Sequence, residues 1–156
     1  MYYFSRKNKK QYLWILDGIE IVVALARFVI RMGNLMNSEI YGIQTSLPWG
    51  FIFIRDGQTI PKHPTQIYEA LCYLLIFILL YTIYNKKGIK LIQGYIFSIF
   101  LILLFTVRFF IEFIKEDQVG FEQGMSLNMG QWLSIPFVLI GVFLLYRSFN
   151  LKPKKE

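Results

Sequence analysis

Apolar and polar positions alternate along this chain in long blocks, not with the short period of a water-soluble domain. Residues 12 to 32 are mostly apolar but carry Asp17, Glu20, Arg27 and Arg31. Residues 33 to 67 are polar and hold Pro48, Gly50, Gly57, Pro61 and Pro64. Three further apolar blocks follow, Ala70 to Tyr84, Leu91 to Val107 and Trp132 to Tyr146. They are separated by a lysine-bearing turn at 85–90 and a polar stretch at 115–130. Uncharged runs of this length predict membrane-spanning helices. The pattern thus predicts an all-α integral membrane protein of about four spans, roughly 14–32, 68–84, 91–113 and 130–147. Residues 1–156 are expected to form a single membrane domain, with a structured, outward-facing loop between the first two spans.

The first block is the weakest span by composition, since a charge at mid-helix costs about 2.5–3.5 kcal/mol on insertion scales. It either lies at the interface or turns its charges into the bundle. Within the loop, residues 51–60 resemble a short β-hairpin with Asp56-Gly57 at the turn. Thr65 is the expected N-cap of the second span, and Glu69, one turn on, lies near a capping-box position.

Composition supports the membrane class. Hydrophobic residues make up 55% of the 156 residues and aromatics 18%, above the ordinary soluble apolar share. Trp14, Tyr84, Trp132 and Tyr146 stand at block ends, as an interfacial belt requires. The net charge of +7 does not form a basic stripe with interleaved aromatics, so nucleic acid is excluded as a partner. Instead, eleven of the 17 Lys and Arg residues lie in the first ten residues, the 85–90 turn and the tail. Arg55, Lys62 and Lys115 lie on the other side. The positive-inside rule then places both termini in the cytoplasm. No cleavable signal peptide is evident. One cysteine, Cys72, and one histidine, His63, leave no material for an internal disulfide or a multi-histidine metal site, and no metal or cofactor is expected. Cys72 reads as a small buried apolar residue.

The candidate chemistry gathers at the outward ends of the blocks. Residues 31–42 pack a cation, two amides and a carboxylate between glycines: Arg31, Gly33, Asn34, Asn37, Glu39 and Gly42. A guanidinium stays charged and presents paired donors, which suits a phosphate. Arg108 and Glu112 are four apart. That spacing supports either an i,i+4 ion pair at a helix end or a phosphate-binding arginine oriented by a carboxylate. His63 titrates near neutrality and is a candidate base or hydrogen-bonding group, with Gln66 and Glu69 close by on the next helix turn. Ser126 and Ser134 have no histidine near in sequence and do not point to a serine hydrolase.

Taken together, these stretches resemble the bacterial prolipoprotein diacylglyceryl transferase family. Arg31-x-Gly33-Asn34-x-x-Asn37-x-Glu39-x-x-Gly42 is similar to a signature that typically reads G-R-x-G-N-F-x-N-G-E-x-x-G. His63-Pro64-Thr65-Gln66-Ile67-Tyr68-Glu69 resembles H-P-[ST]-Q-[LIF]-Y-E. Arg108 to Phe113 resembles R-[FI]-x-x-E-F, and Met129-Gly130-Gln131 with Ser134 and Pro136 resembles M-G-Q-x-x-S-x-P. The resemblance implies a bacterial inner-membrane enzyme that moves the diacylglyceryl group of phosphatidylglycerol onto the lipobox cysteine of a prolipoprotein. It implies phosphatidylglycerol contacts for Arg31 and Arg108, and a site shaped by Asn34, Glu39, Gly42 and Glu112. Asn37, Gln66 and Glu69 are placed with the lipid-binding set, and His63, Arg108 and Glu112 with the catalytic set. The nucleophile would be the substrate's own thiol.

The resemblance runs from about Ser5 to Tyr146 and covers only the C-terminal half of the family pattern. The half that carries a His-Gly-Gly motif has no counterpart in this sequence, so the readings it leaves are a truncated form, a split form partnered by a separate N-terminal half, or a degenerate paralogue. Ile30 replaces the usual glycine before Arg31, Leu104 a usual tyrosine, and Arg27 has no counterpart. The rival reading is a non-catalytic membrane protein that binds anionic phospholipid or serves as an assembly partner. A transporter is disfavoured by the scarcity of polar residues at mid-depth in the last three blocks.

Overall fold

In a computed structural model, residues 12–87, 92–116 and 127–150 are described. The architecture is all-helical, with no strand among the described residues. The helices are α1 (Tyr12–Asn37), α2 (Thr65–Lys87), α3 (Tyr95–Ile111) and α4 (Met129–Asn150). Two 3₁₀ turns add to these, Ile54–Asp56 in the long loop and Glu112–Ile114 directly after α3.

The helices Thr65–Lys86, Tyr95–Ile114 (α3 with its 3₁₀ extension) and Met129–Asn150 are long and apolar enough to cross a membrane. Their outward faces are apolar too. Leu75 on α2 and Leu139 and Phe143 on α4 are about two-thirds exposed, the reverse of a helix built to face water. α3 packs most extensively on α4, and α1 on α2. A core of Ile21 and Ala24 from α1, Tyr73, Ile76 and Leu80 from α2, and Ile96, Phe100, Leu101, Leu104 and Phe105 from α3 ties three helices together. Leu104, standing where a tyrosine was expected, is fully buried in it.

α1 resolves its charge problem inward. Asp17 and Glu20 are buried. The Asp17 carboxylate accepts the backbone N–H of Gly94 at 2.7 Å and of Phe97 at 2.9 Å. It therefore caps α3 from another helix, where Gly94 at the N-cap carries no side chain and takes φ 85°. An anionic acceptor at free N–H groups is favoured by both hydrogen bonding and the helix dipole.

α1 runs five residues beyond the expected end at 32 and stops in a Schellman turn. Glu39 N–H bonds to Asn34 O at 2.9 Å and Ser38 N–H to Leu35 O at 3.1 Å. This turn needs a left-handed residue just past the helix, and Ser38 supplies it with φ 59°. Ile40, at φ 58°, is a β-branched residue in the same region, a strained choice that surrounding contacts must hold.

Two local expectations are corrected. Residues 51–60 do not form a β-hairpin. Phe51 pairs only with Lys62, through reciprocal backbone hydrogen bonds, and the intervening chain winds into the 3₁₀ turn. Gly57 does mark a reversal, at φ 69°. Thr65 is the first helical residue of α2 rather than the residue before it, and its hydroxyl donates to Ile40 O at 3.0 Å. Glu69 is likewise drawn away from a capping box, into an ion cluster. Both side chains take tertiary partners from distant segments.

Candidate functional site

The ends of α1, α2 and α3 that meet the long loop enclose a buried ion cluster centred on Glu69, a residue with no exposed surface. Arg31 Nε lies 2.7 Å from Glu69 Oε2. Lys115 Nζ lies 3.1 Å from Glu69 Oε1 and 3.2 Å from Glu112 Oε2. Tyr73 donates its hydroxyl to Glu69 Oε1 at 3.4 Å, and the charges of Arg31, Arg27 and Arg108 all reach that hydroxyl. The cluster lies at the end of an apolar bundle. Charges so placed hold only when paired, because an uncompensated buried ion costs several kcal/mol.

The turn after α1 wraps this cluster. Arg31 Nη1 reaches Asn34 Oδ1 at 3.5 Å, and Asn34 Nδ2 donates to Glu39 Oε2 at 3.2 Å. Gln66 Nε2 donates to Glu39 O at 2.7 Å. The chain then passes Gly42 through a gap without room for a side chain. A Cβ there would overlap Ile114 O and lie 2.7 Å from His63 Cβ and 2.8 Å from Thr65 Cγ2. Gly42 N–H bonds to His63 O at 2.8 Å and Ile43 N–H to Ile114 O at 3.0 Å. The Ile43 bond, with Glu116 N–H to Tyr41 O at 3.4 Å, runs the segment antiparallel to 114–116 and sets the backbone of Lys115. Gly130 makes a similar fit, since a Cβ there would lie 2.6 Å from Glu112 Cδ.

The structure therefore brings together Arg31, Asn34, Glu39, Gly42, Gln66, Glu69 and Glu112, with Arg108 beside them. Two sequence candidates stand differently. Asn37 is exposed and makes no side-chain hydrogen bond among the described residues. His63 belongs to a neighbouring aromatic group, with Nδ1 3.3 Å from the Tyr68 hydroxyl, which also accepts Trp49 Nε1–H at 3.0 Å.

The Arg108–Glu112 ion pair allowed by spacing does not form. Among the described residues Glu112 is paired with Lys115, and Arg108 Nε is buried without a hydrogen-bond partner. Gln66 Oε1 is also buried and unpartnered. One of these atoms can only donate and the other only accept.

Sequence reasoning missed three contributors. Lys115 and Lys62 read as outward flanking charges, yet both are buried. Lys62 binds both Glu116 carboxylate oxygens at 2.7 and 2.8 Å and lies 4.5 Å from the Tyr41 ring centre. Tyr73 read as one more apolar-block residue. Lys115 sits three residues after Glu112, a pairing that the 3₁₀ turn makes possible and that helical i,i+4 reasoning passes over. Outside the bundle, the Tyr41 hydroxyl donates to Asp56 and accepts Gln58 Nε2–H at 2.9 Å. Burial, then the Asp56 contact, pushes the Tyr41 hydroxyl up to about 12. The hydrogen bonds from Tyr41 and Gln58 hold Asp56 below its usual range. Among the described residues, no group of His, Cys, Asp and Glu could hold a metal ion.

Known proteins place the chain. A family profile described as prolipoprotein diacylglyceryl transferase matches residues 1–147. A phosphatidylglycerol–prolipoprotein diacylglyceryl transferase of Bacteroides fragilis is 44% identical over 146 residues, covering 94% of this chain and 52% of that protein. One of Tolumonas auensis is 42% identical over 152 residues, covering 97% of this chain and 58% of that protein. One of Porphyromonas gingivalis is 45% identical over 159 residues, covering 94% and 56%. The chain thus spans little more than half the length of these relatives. A match over nearly all of its residues, at these identities, means that it belongs to the prolipoprotein diacylglyceryl transferase family.

Proposed function

We propose that residues 1–156 form one membrane domain carrying the lipid-handling site of a diacylglyceryl transferase. Its substrates are phosphatidylglycerol and the lipobox segment of a prolipoprotein. α1 is the fourth span, and its charges are tolerable because they face the bundle. The loop between α1 and α2 faces outward from a bacterial inner membrane, and both termini are cytoplasmic. The burial of Lys62 and Lys115 supports this orientation, because it removes two of the three cations that counted against it.

The observation that carries the reading is the buried Nε of Arg108, unpartnered among the described residues, beside two carboxylates already paired with Arg31 and Lys115. A guanidinium in that state calls for an anion, and a phosphodiester supplies one. Gln66 Oε1 calls for a donor, and the head-group glycerol supplies hydroxyls. In the reaction the lipobox thiol gives up its proton and sulfur bonds to the diacylglyceryl carbon. The carbon–oxygen bond to phosphate breaks, and glycerol phosphate leaves with the electron pair. Arg108, assisted by Arg31, stabilises the charge that develops on the phosphate oxygens. His63 takes the thiol proton; its contact with the Tyr68 hydroxyl at Nδ1 supports that role, since Nε2 is then the nitrogen for the substrate. Glu112, Glu69, Asn34, Asn37, Glu39 and Gly42 shape the pocket. A separate N-terminal half is the proposed protein partner.

The test is a transfer assay with purified chain, phosphatidylglycerol micelles and a lipobox peptide. It is run alone and with the N-terminal half of a longer relative supplied as a second chain. Thioether product in either format, lost in Arg108→Ala and kept in Cys72→Ala, supports the reading. Undiminished product from Arg108→Ala, or none from the wild-type chain in both formats, overturns it.

A further inference from the structure

Arg108 and Glu112 are one helical turn apart, and an arginine and a glutamate so spaced ordinarily attract each other. Here they do not pair, and the structure offers a reason. α3 ends at Ile111 and continues as a 3₁₀ turn over Glu112–Ile114. In such a turn residues i and i+3 lie nearly one above the other. That places Lys115 Nζ 3.2 Å from Glu112 Oε2. The same nitrogen is 3.1 Å from Glu69 Oε1, and Lys115 is buried. Its backbone is held in register by the 42–43 segment, through Gly42 bridging Lys115 and Ile43 N–H bonding to Ile114 O at 3.0 Å. Gly130 closes on the carboxyl carbon of Glu112 from another side. The Glu112 carboxylate is therefore occupied and confined.

We infer that Lys115 is a positioning residue: it holds Glu112 away from Arg108 and so keeps the Arg108 guanidinium unpaired for an incoming anionic head group. The inference rests on the head-group reading of Arg108 given above, which it deepens by naming what prevents that arginine from being neutralised inside its own helix. Glu69 and Glu112 are paired with Arg31 and Lys115, so neither carboxylate is left to neutralise Arg108. Loss of Lys115 releases Glu112 to the nearest available cation. The expected consequence is an Arg108–Glu112 pair and a site that has lost its attraction for phosphate.

The experiment has two independent arms on the full chain in neutral detergent micelles, with arginine labelled with ¹⁵N. The first arm follows the Arg108 Nε–H resonance, identified by its loss in Arg108→Lys. In Lys115→Gln it should move to the position and slowed exchange of an ion-paired arginine. In Lys115→Arg, and in Lys115→Gln combined with Glu112→Gln, it should stay at the wild-type position. Lys115→Met serves the same purpose if Lys115→Gln does not fold. An Arg108 resonance that is unmoved when Lys115 is removed overturns the inference.

The second arm titrates dihexanoyl-phosphatidylglycerol, with dihexanoyl-phosphatidylcholine as the neutral control. Lys115→Gln should bind the anionic lipid about tenfold more weakly than wild type, the scale of one lost charge-assisted hydrogen bond. The double variant should recover most of that loss, which a merely structural role for Lys115 would not produce. A double variant as weak as Lys115→Gln overturns the inference. Failure of the wild-type chain to distinguish the two lipids sinks the head-group reading instead, and the resonance arm still decides the role of Lys115.

Discussion

Arg31 Nε and Glu69 Oε2 are 2.7 Å apart across the α1–α2 interface, with the glutamate wholly buried and the arginine nearly so. This pair joins the helix that carries the polar turn to the helix that opens with the His-Pro segment. Without it, the remaining charge would be stranded beneath the loop.

Glu69→Ala is therefore expected to cost roughly 3–5 kcal/mol, the scale of a broken buried ion pair. It should cost more than Glu39→Ala, whose carboxylate is solvent-exposed. Thermal unfolding of the purified variants in detergent measures the order. Equal losses for the two would mean that Glu69 is not the centre of the cluster.

Gly42 and Gly33 belong to the same sequence signature, yet they should respond in opposite directions. Gly42→Ala drives a methyl group into Ile114 O, His63 and Thr65 and should destabilise by about 1–3 kcal/mol or more. Gly33 sits inside α1 with nothing within 4 Å of the added carbon. Gly33→Ala should gain roughly 0.5–1 kcal/mol from helix propensity. Unfolding midpoints of the two variants against wild type decide it.

Asp17→Ala removes two backbone hydrogen bonds at the start of α3, to Gly94 and Phe97. A lost N-cap costs about 0.5–2 kcal/mol, and the buried setting points to the upper end. The loss should appear as faster amide hydrogen exchange in the first turn of α3, with the α2 amides at 73–80 unchanged.

The Tyr41–Asp56 contact gives the outer loop a defined pH range. Asp56 titrates below its ordinary value of 3.8, so its contribution is complete above that pH and is lost as pH falls through the lower folded value. Tyr41 titrates near 12 rather than 10, so its contribution is complete below pH 10 and is lost between 10 and 12. A pH series of loop amide exchange, compared with Tyr41→Phe, measures both limits. A wild-type profile that coincides with Tyr41→Phe at both extremes would remove the contact from the account.

The last three helices were legible because membrane-length apolar blocks leave little freedom of interpretation, whereas the charges of the first block left two placements open, interfacial or inward, and the burial of Asp17 and Glu20 decides for the inward one. The local start of α2 and the hairpin were not legible. Thr65 and Glu69 have good short-range roles on offer, and only the arrival of Ile40 and Arg31 from a distant segment shows which role is taken. Lys62 and Lys115 misled for a related reason. A lysine after an apolar block ordinarily marks the membrane edge, and nothing nearby in sequence announces that Glu116 bends back to one and that Glu69 lies under the other.

By itself the sequence determined the block pattern, the helical class, the charge asymmetry and the signature residues that place this chain in its family, since these depend on residue type and spacing along one strand of chain. Only the tertiary structure decided which charges are spent on one another. Ion pairing inside a bundle depends on distances between helices, and it is the crossing of 42–43 with 114–116 that assigns Lys115 to Glu69 and Glu112, leaving Arg108 Nε without a partner among the described residues.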